Sequence, residues 1–207
     1  MNMKKIISFF IVACCAMCAT AAKVVWQIGV ADNSGTELAL GPSEYKKFLA
    51  HDFGYEDRYF LVGTSVDKND FPYVLPGPDD TWGGTWSTSG WRTHDANILF
   101  GIKKLPKHGK WKLVVDLVDA NPSRSVVKVM VNSAEKKFEI KGHSKGVLEG
   151  NLQDAKEQIL EFPISADDLK KGGNMVTVSV LEGGWIVFDQ IRLEGADELV
   201  LEKNNEY

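Results

Sequence analysis

The sequence predicts an all-β protein, an antiparallel β-sandwich with one or two short helices. Two observations predict it. Nine short runs rich in Val, Ile, Leu, Phe or Trp are separated by turns of Gly, Pro, Asn and Asp, the spacing of a sandwich rather than of a helical bundle. Several of these runs alternate with period two, which is the signature of a strand with one face buried. Leu113, Val115 and Leu117 share a face, Val127, Val129 and Val131 oppose Lys128, and Val176, Val178 and Val180 oppose Thr177 and Ser179.

The elements follow along the chain of 207 residues. Met1–Lys5 carries Lys4 and Lys5, Ile6–Cys18 is apolar, and Ala19-Thr20-Ala21-Ala22 offers small residues for cleavage. This is the pattern of a secretory signal peptide over 1–22, too short to span a bilayer as a permanent helix. Ile11-Val12-Ala13-Cys14 also resembles a bacterial lipoprotein box, which makes a lipid anchor at Cys14 the alternative to a soluble exported chain. All three cysteines lie in this segment, so a mature chain from Lys23 forms no disulfide. Without Lys4 and Lys5, the 24 basic residues fall to 22 against 28 acidic ones, a formal charge of −6. That balance argues against nucleic-acid binding, which calls for a basic excess.

Strands are expected at Val24–Val30, Arg58–Val66, Asn97–Lys103, Trp111–Asp119, Val126–Asn132, Lys137–Lys141, Gln158–Pro163, Met175–Leu181 and Trp185–Leu193. A short helix is expected from Pro42 to Asp52, with Tyr45, Phe48 and Leu49 on one side. A capped turn is expected at Ser165-Ala166-Asp167-Asp168-Leu169, where Ser and Asp three apart form a capping box. Lys103, Lys104, Lys107, Lys110 and Lys112 surround Pro106 and Gly109 at an expected hairpin, as a solvated turn or as a patch for uronate carboxylates. One domain is expected over 23–198, and 199–207 reads as a polar tail or the start of a linker.

Between Val66 and Asn97 lie about thirty residues with little strand pattern, and a loop of that length in a compact domain is usually functional. It holds Phe71, Tyr73, Trp82, Trp86 and Trp91, three of the six tryptophans, beside Asp79, Asp80, Arg92 and His94. Flat rings can cover the apolar face of a pyranose while polar side chains bond its hydroxyls. Tyr73, Trp82, Trp86 and Trp91 are therefore the candidate stacking platform, and Asp79, Asp80, Arg92 and His94 the candidate contacts to hydroxyls or carboxylates. The bland alternative is that these rings tuck the loop onto the sandwich. Trp26 and Trp111 lie in apolar strands and read as core; Trp185 reads as core or rim. Asp67, Asn69 and Asp70 alternate oxygen ligands, which leaves a structural calcium ion open.

Several segments resemble one family. Val25-Trp26-Gln27-Ile28-Gly29-Val30 with Asp32, Leu61-Val62-Gly63-Thr64-Ser65, and Asp70-Phe71-Pro72 are similar to the C-terminal carbohydrate-binding-like domain of rhamnogalacturonan lyases, polysaccharide lyase family four. Ile98–Ile102 and Lys112–Ala120 suit its middle strands. Phe162-Pro163-Ile164 to Leu169, Gly172-Gly173-Asn174 and Trp185–Glu194 suit the end of a galactose-binding-like jelly roll. The resemblance spans nearly the whole mature chain. It implies a jelly-roll module without catalytic residues, attached to enzymes that degrade plant pectin. Two departures stand out: the module here follows a signal peptide directly, and the loop from Trp82 to Trp91 is richer in tryptophan.

The expected function is noncatalytic binding of plant-type, pectic polysaccharide by an exported bacterial protein. The expected partners are a polysaccharide or oligosaccharide and a catalytic domain or enzyme, with no nucleic acid and no transmembrane segment. Two alternatives stay open. One is a small lyase or glycosidase using Arg92, His94 and Asp95. The other is a structural module, or the leading domain of a longer lyase or glycoside hydrolase.

Overall fold

Period-two alternation becomes two packed sheets in the computed structural model, which describes residues 22–51, 53, 58–84, 94–195 and 198–202. The first sheet runs β1 (Lys23–Gly29), β10 (Ile186–Gly195), β5 (Lys110–Ala120) and β8 (Gln158–Ser165), and short β3 (Val74–Leu75) pairs with the start of β10. The second runs β11 (Val200–Leu201), β4 (Asp95–Lys104), β9 (Gly172–Glu182), β6 (Arg124–Val131) and β7 (Ala134–Lys141), with β2 (Arg58–Leu61) also on β4. Nonsequential neighbours in both sheets give the jelly-roll sandwich that the alternation and the resemblance predict.

The core lies between the sheets. Leu113, Val115 and Leu117 of β5 face Val127, Val129, Val131, Val176, Val178 and Val180 of the second sheet, all buried. Trp26, Trp111 and Trp185 are buried as well, so Trp185 is a core residue. Each fully buried aliphatic or aromatic side chain of this set contributes roughly 1.5–3 kcal/mol of transfer free energy.

Four local expectations are corrected. The run Arg58–Val66 is a strand only to Leu61, where the amides of Thr64 and Ser65 turn back onto the Leu61 carbonyl. That strand pairs with β4 in parallel rather than antiparallel fashion. The lysine-rich segment after Lys104 is not a hairpin, because β4 and β5 belong to different sheets and the chain crosses the sandwich there. The helix expected from Pro42 shrinks to one 3-10 turn, Tyr45–Lys47, before Phe48 dives into the core. Conversely, the capping box is present: Ser165 and Asp168 bond reciprocally around the 3-10 turn Ala166–Asp168. The segment expected as a tail begins with β11, whose Val200 and Leu201 extend the second sheet. No helix among the described residues is long and apolar enough to cross a membrane.

Candidate functional site

The long irregular stretch opens with α1 (Asp67–Asp70), one short helical segment. Asp67 Oδ2 accepts from the Gly29 amide at 2.9 Å and Asp70 Oδ2 from the Val66 amide at 2.7 Å. Lys68 Nζ donates to the carbonyls of Thr36, Leu38 and Gly41. The carboxylates considered for calcium thus have backbone partners, and no cluster of three or more acidic, His or Cys side chains suited to a metal occurs among the described residues.

Tyr73 is fully buried, at 0% exposure, and its hydroxyl donates to the Leu148 carbonyl at 2.8 Å. Burial pushes the phenol well above its ordinary range. This corrects its place in the platform: a ring enclosed on all sides has no face for a sugar. Tyr73→Phe should cost about 1–2 kcal/mol of stability by stranding that carbonyl, while leaving ligand affinity unchanged. Chemical denaturation and calorimetry together check this.

After β3 the chain makes a tight passage. Gly77 lies so close to the neighbouring loop that a Cβ there would stand 2.3 Å from the Gly183 carbonyl oxygen. Asp80 closes this turn, accepting from the Gly77 amide at 2.8 Å while its own amide donates to the Gly77 carbonyl at 3.0 Å. It is buried, which corrects its expected role as a direct hydroxyl contact. Burial pushes its carboxyl up to about 6, and the charge of Asp79 adds to that. Hydrogen bonds from the Gly77 amide, the Trp82 side chain and the Trp185 backbone work in the opposite direction. Asp80 therefore does two structural things: it ties the turn and holds the Trp82 indole.

Trp82 sits in the 3-10 turn Thr81–Gly83 and is half-buried. Its ring stands edge-on to Tyr45, with centroids 5.0 Å apart at 77°, and edge-on to Phe48 at 6.0 Å and 86°. Tyr45 is also half-buried, and Asp79 beside the turn is exposed. Two partly open rings with an exposed carboxylate are thus brought to one place. Tyr45 was legible only as one side of an expected helix, because its pairing with Trp82 spans a long stretch of sequence. The other 3-10 turn, Tyr45–Lys47, borders a groove of 490 Å³ lined by residues including Leu40, Glu44, Lys47, His51 and Asn69.

His94 is buried, with its ring 6.0 Å from that of Phe48. This corrects its assignment as a sugar contact: it packs beneath the aromatic group instead. Asp95 Oδ1 accepts from the Ser179 hydroxyl at 2.5 Å. The described members of the acid/base trio are engaged within the fold. Trp86, Trp91 and Arg92 lie outside the described residues.

Acidic side chains buried in this way leave a pH signature. Asp80 and Asp116 are both raised by burial from 3.8 to about 6. The folded state therefore binds their protons more tightly than the unfolded chain, and stability rises as pH falls through 6 toward 4. About 1 kcal/mol per carboxyl is expected between pH 7 and pH 5. Urea midpoints at the two pH values check this, and Asp116→Asn should remove about half of the difference.

A model of the family described as "CBM-like: Polysaccharide lyase family 4, domain III" matches residues 24–193. The chain belongs to this family. Its match runs from the start of β1 into β10 and includes the whole Trp82 region, so the candidate site lies within the CBM-like domain. No curated protein matches the sequence. Among solved structures, a family 35 carbohydrate-binding module from an environmental isolate is 15% identical over 54% of this chain and 72% of its own, with a TM-score of 0.36. A family 35 module from Cellvibrio japonicus is 13% identical over 52% and 68%, with a TM-score of 0.36. A family GH115 4-O-methyl-alpha-glucuronidase with specificity for decorated arabinogalactans is 18% identical over 50% of this chain, at a TM-score of 0.35, and only 13% of that enzyme is covered.

Proposed function

We propose that the protein is an exported, noncatalytic glycan-binding module that engages pectic polysaccharide through the loop end around Trp82. The observation carrying this reading is the pairing of half-buried Trp82 with half-buried Tyr45, the indole held by buried Asp80 and flanked by exposed Asp79. Partly sunk rings keep a fixed orientation and an open edge, which suits stacking on a sugar at low entropic cost. Trp86, Trp91 and Arg92 follow Trp82 within ten residues and complete the platform in this reading. Arg92 supplies the planar cation that recognises a uronate carboxylate in two-point fashion.

Membership of the CBM-like domain III family supports both the glycan class and a role beside a catalytic domain, in cis or as a separate chain. Calorimetry against a panel of pectic and hemicellulosic oligosaccharides tests the reading. Binding that is unchanged in a Trp82→Ala/Trp86→Ala double variant would remove the platform. Export is tested separately: N-terminal sequencing of protein recovered from cells should begin at Lys23, whereas a lipid-modified Cys14 terminus would establish an anchored form.

A further inference from the structure

The outer face of the second sheet carries an open apolar strip that the Trp82 loop does not use. Tyr59 and Leu61 of β2 pair with Asn97 and Leu99 of β4, and these with Thr177 and Met175 of β9. Phe60, Ile98 and Val176 of the same strands are buried in the core, so Tyr59, Leu61, Leu99 and Met175 share the outward side. Tyr59 is 55% exposed and Met175 37%, with Leu61 and Leu99 half-buried between them. Single exposed apolar residues are ordinary on a protein surface; four in neighbouring positions on one face mark a contact.

Leu99 and Met175 form part of a groove of 670 Å³, within the usual range for small-molecule sites of about 300–1,000 Å³. Its rim comes from Ser133, in the turn between β6 and β7, and from Asp167 and Lys170, between β8 and β9. These three side chains are exposed and take no hydrogen bond or ion pair among the described residues. Behind them two amides fix the walls. Asn132 Nδ2 donates to the Asp168 carbonyl at 2.8 Å and to Asn174 Oδ1 at 2.9 Å, and Asn174 Nδ2 donates to the Lys170 and Gly172 carbonyls at 2.8 and 2.9 Å. The groove is therefore shaped by polar groups that the fold already uses, while an acceptor, a donor and a hydroxyl remain open at its edge. A fixed apolar floor with open polar groups around it suits an amphipathic ring at low ordering cost.

We propose that this groove is a second glycan site, where a neutral pyranose lays its C–H face on Leu99 and Met175, donates a hydroxyl to Asp167 and accepts from Lys170, while the next sugar of the chain stacks on Tyr59. Sheet spacings put Tyr59 about 8 Å from Leu99 and about 12 Å from Met175, Cα to Cα, which leaves room for two linked rings side by side. A uronate fits less well, because Lys103, Lys170 and Lys171 are answered on this face by Asp167 and by Glu202, whose Oε2 folds to within 2.7 Å of where a Cβ on Gly101 would stand. An apolar peptide fits less well too, because the rim is charged and open. No cluster of ligating side chains suited to a metal occurs here among the described residues. The site shares with the Trp82 reading only the glycan class, and the two fail separately.

Amide-resolved NMR titration of the mature chain with β-1,4-galactohexaose, xylohexaose and trigalacturonate, in wild-type and Trp82→Ala proteins, tests it. The expected result is saturable shifts at Tyr59–Leu61, Ser133 and Gly173–Met175 with at least one neutral sugar, persisting in Trp82→Ala. Affinity read from these shifts should fall at least tenfold in Tyr59→Ala and in Lys170→Ala, both exposed positions where truncation leaves the core intact. Shifts confined to the Trp82 loop would overturn this site and leave the loop reading standing. Shifts on the sheet face alone would sustain it and overturn the loop reading. Face shifts with trigalacturonate only, face shifts unaffected by both substitutions, or no shift with any of the three sugars would each overturn it; the last is the result expected of a face that docks another protein.

Discussion

A Trp82→Ala protein should bind its glycan at least tenfold more weakly than the wild type while remaining folded. Deleting the indole removes one wall of the Trp82–Tyr45 pair and leaves Asp80 without its side-chain donor. Loss of a stacking ring at a binding centre commonly costs more than 1 kcal/mol of affinity, and often 2 or more. The fold depends less on this residue, since Trp82 is half-buried and lies at the margin of the core. Trp82→Phe should recover part of the affinity, because it restores a ring but not the indole N–H that Asp80 holds. Calorimetric titration reads the affinity and thermal melting reads the fold. Equal affinity in wild type and Trp82→Ala would place binding elsewhere.

Asp119→Ala should be the most destabilising of the polar substitutions, by about 4 kcal/mol. Asp119 is fully buried at the end of β5, where its two oxygens accept from four backbone amides. Three of these, from His143, Ser144 and Lys156, belong to the long connection between β7 and β8. That connection also supplies the carbonyl for Tyr73, so one carboxylate ties the loop that encloses the interior of the candidate site. Alanine leaves several buried N–H groups unpaired, and the melting temperature should fall by about 10 °C. Asp119→Asn keeps one acceptor oxygen and should lose roughly half as much. Differential scanning calorimetry compares the three proteins.

The sandwich itself was legible in the sequence because alternation is a local signal. Leu113, Val115 and Leu117 declare a buried face without reference to any partner. What the pattern does not encode is which strand lies beside which. Pro106 and Gly109 look like a hairpin turn, yet Lys104 and Lys110 belong to different sheets. Arg58–Leu61 looks like any edge strand, and its parallel pairing depends on where a later segment returns. Val74–Leu75 and Val200–Leu201 are too short to show a period at all.

The site was legible in part for a related reason. An aromatic residue in a polar loop has the same sequence signature whether it stacks on a ligand or plugs the core. Trp82 and Tyr73 differ only in what surrounds them: Tyr73 finds the Leu148 carbonyl seventy-five residues away, while Trp82 meets Tyr45 at the surface. Asp80 and His94 looked like exposed contacts because charge and polarity usually mean exposure. A glycine passage at Gly77 and the aromatic group around Phe48 buried them instead.

The central claim is that this domain holds polysaccharide through its Trp82 end. Affinity electrophoresis of the mature chain through native gels cast with rhamnogalacturonan, homogalacturonan, arabinogalactan or xylan tests it most directly. The account predicts retardation in at least one pectic gel, reduced to the mobility of the polysaccharide-free control by Trp82→Ala/Trp86→Ala. Unretarded migration of the wild-type chain in every gel would contradict it.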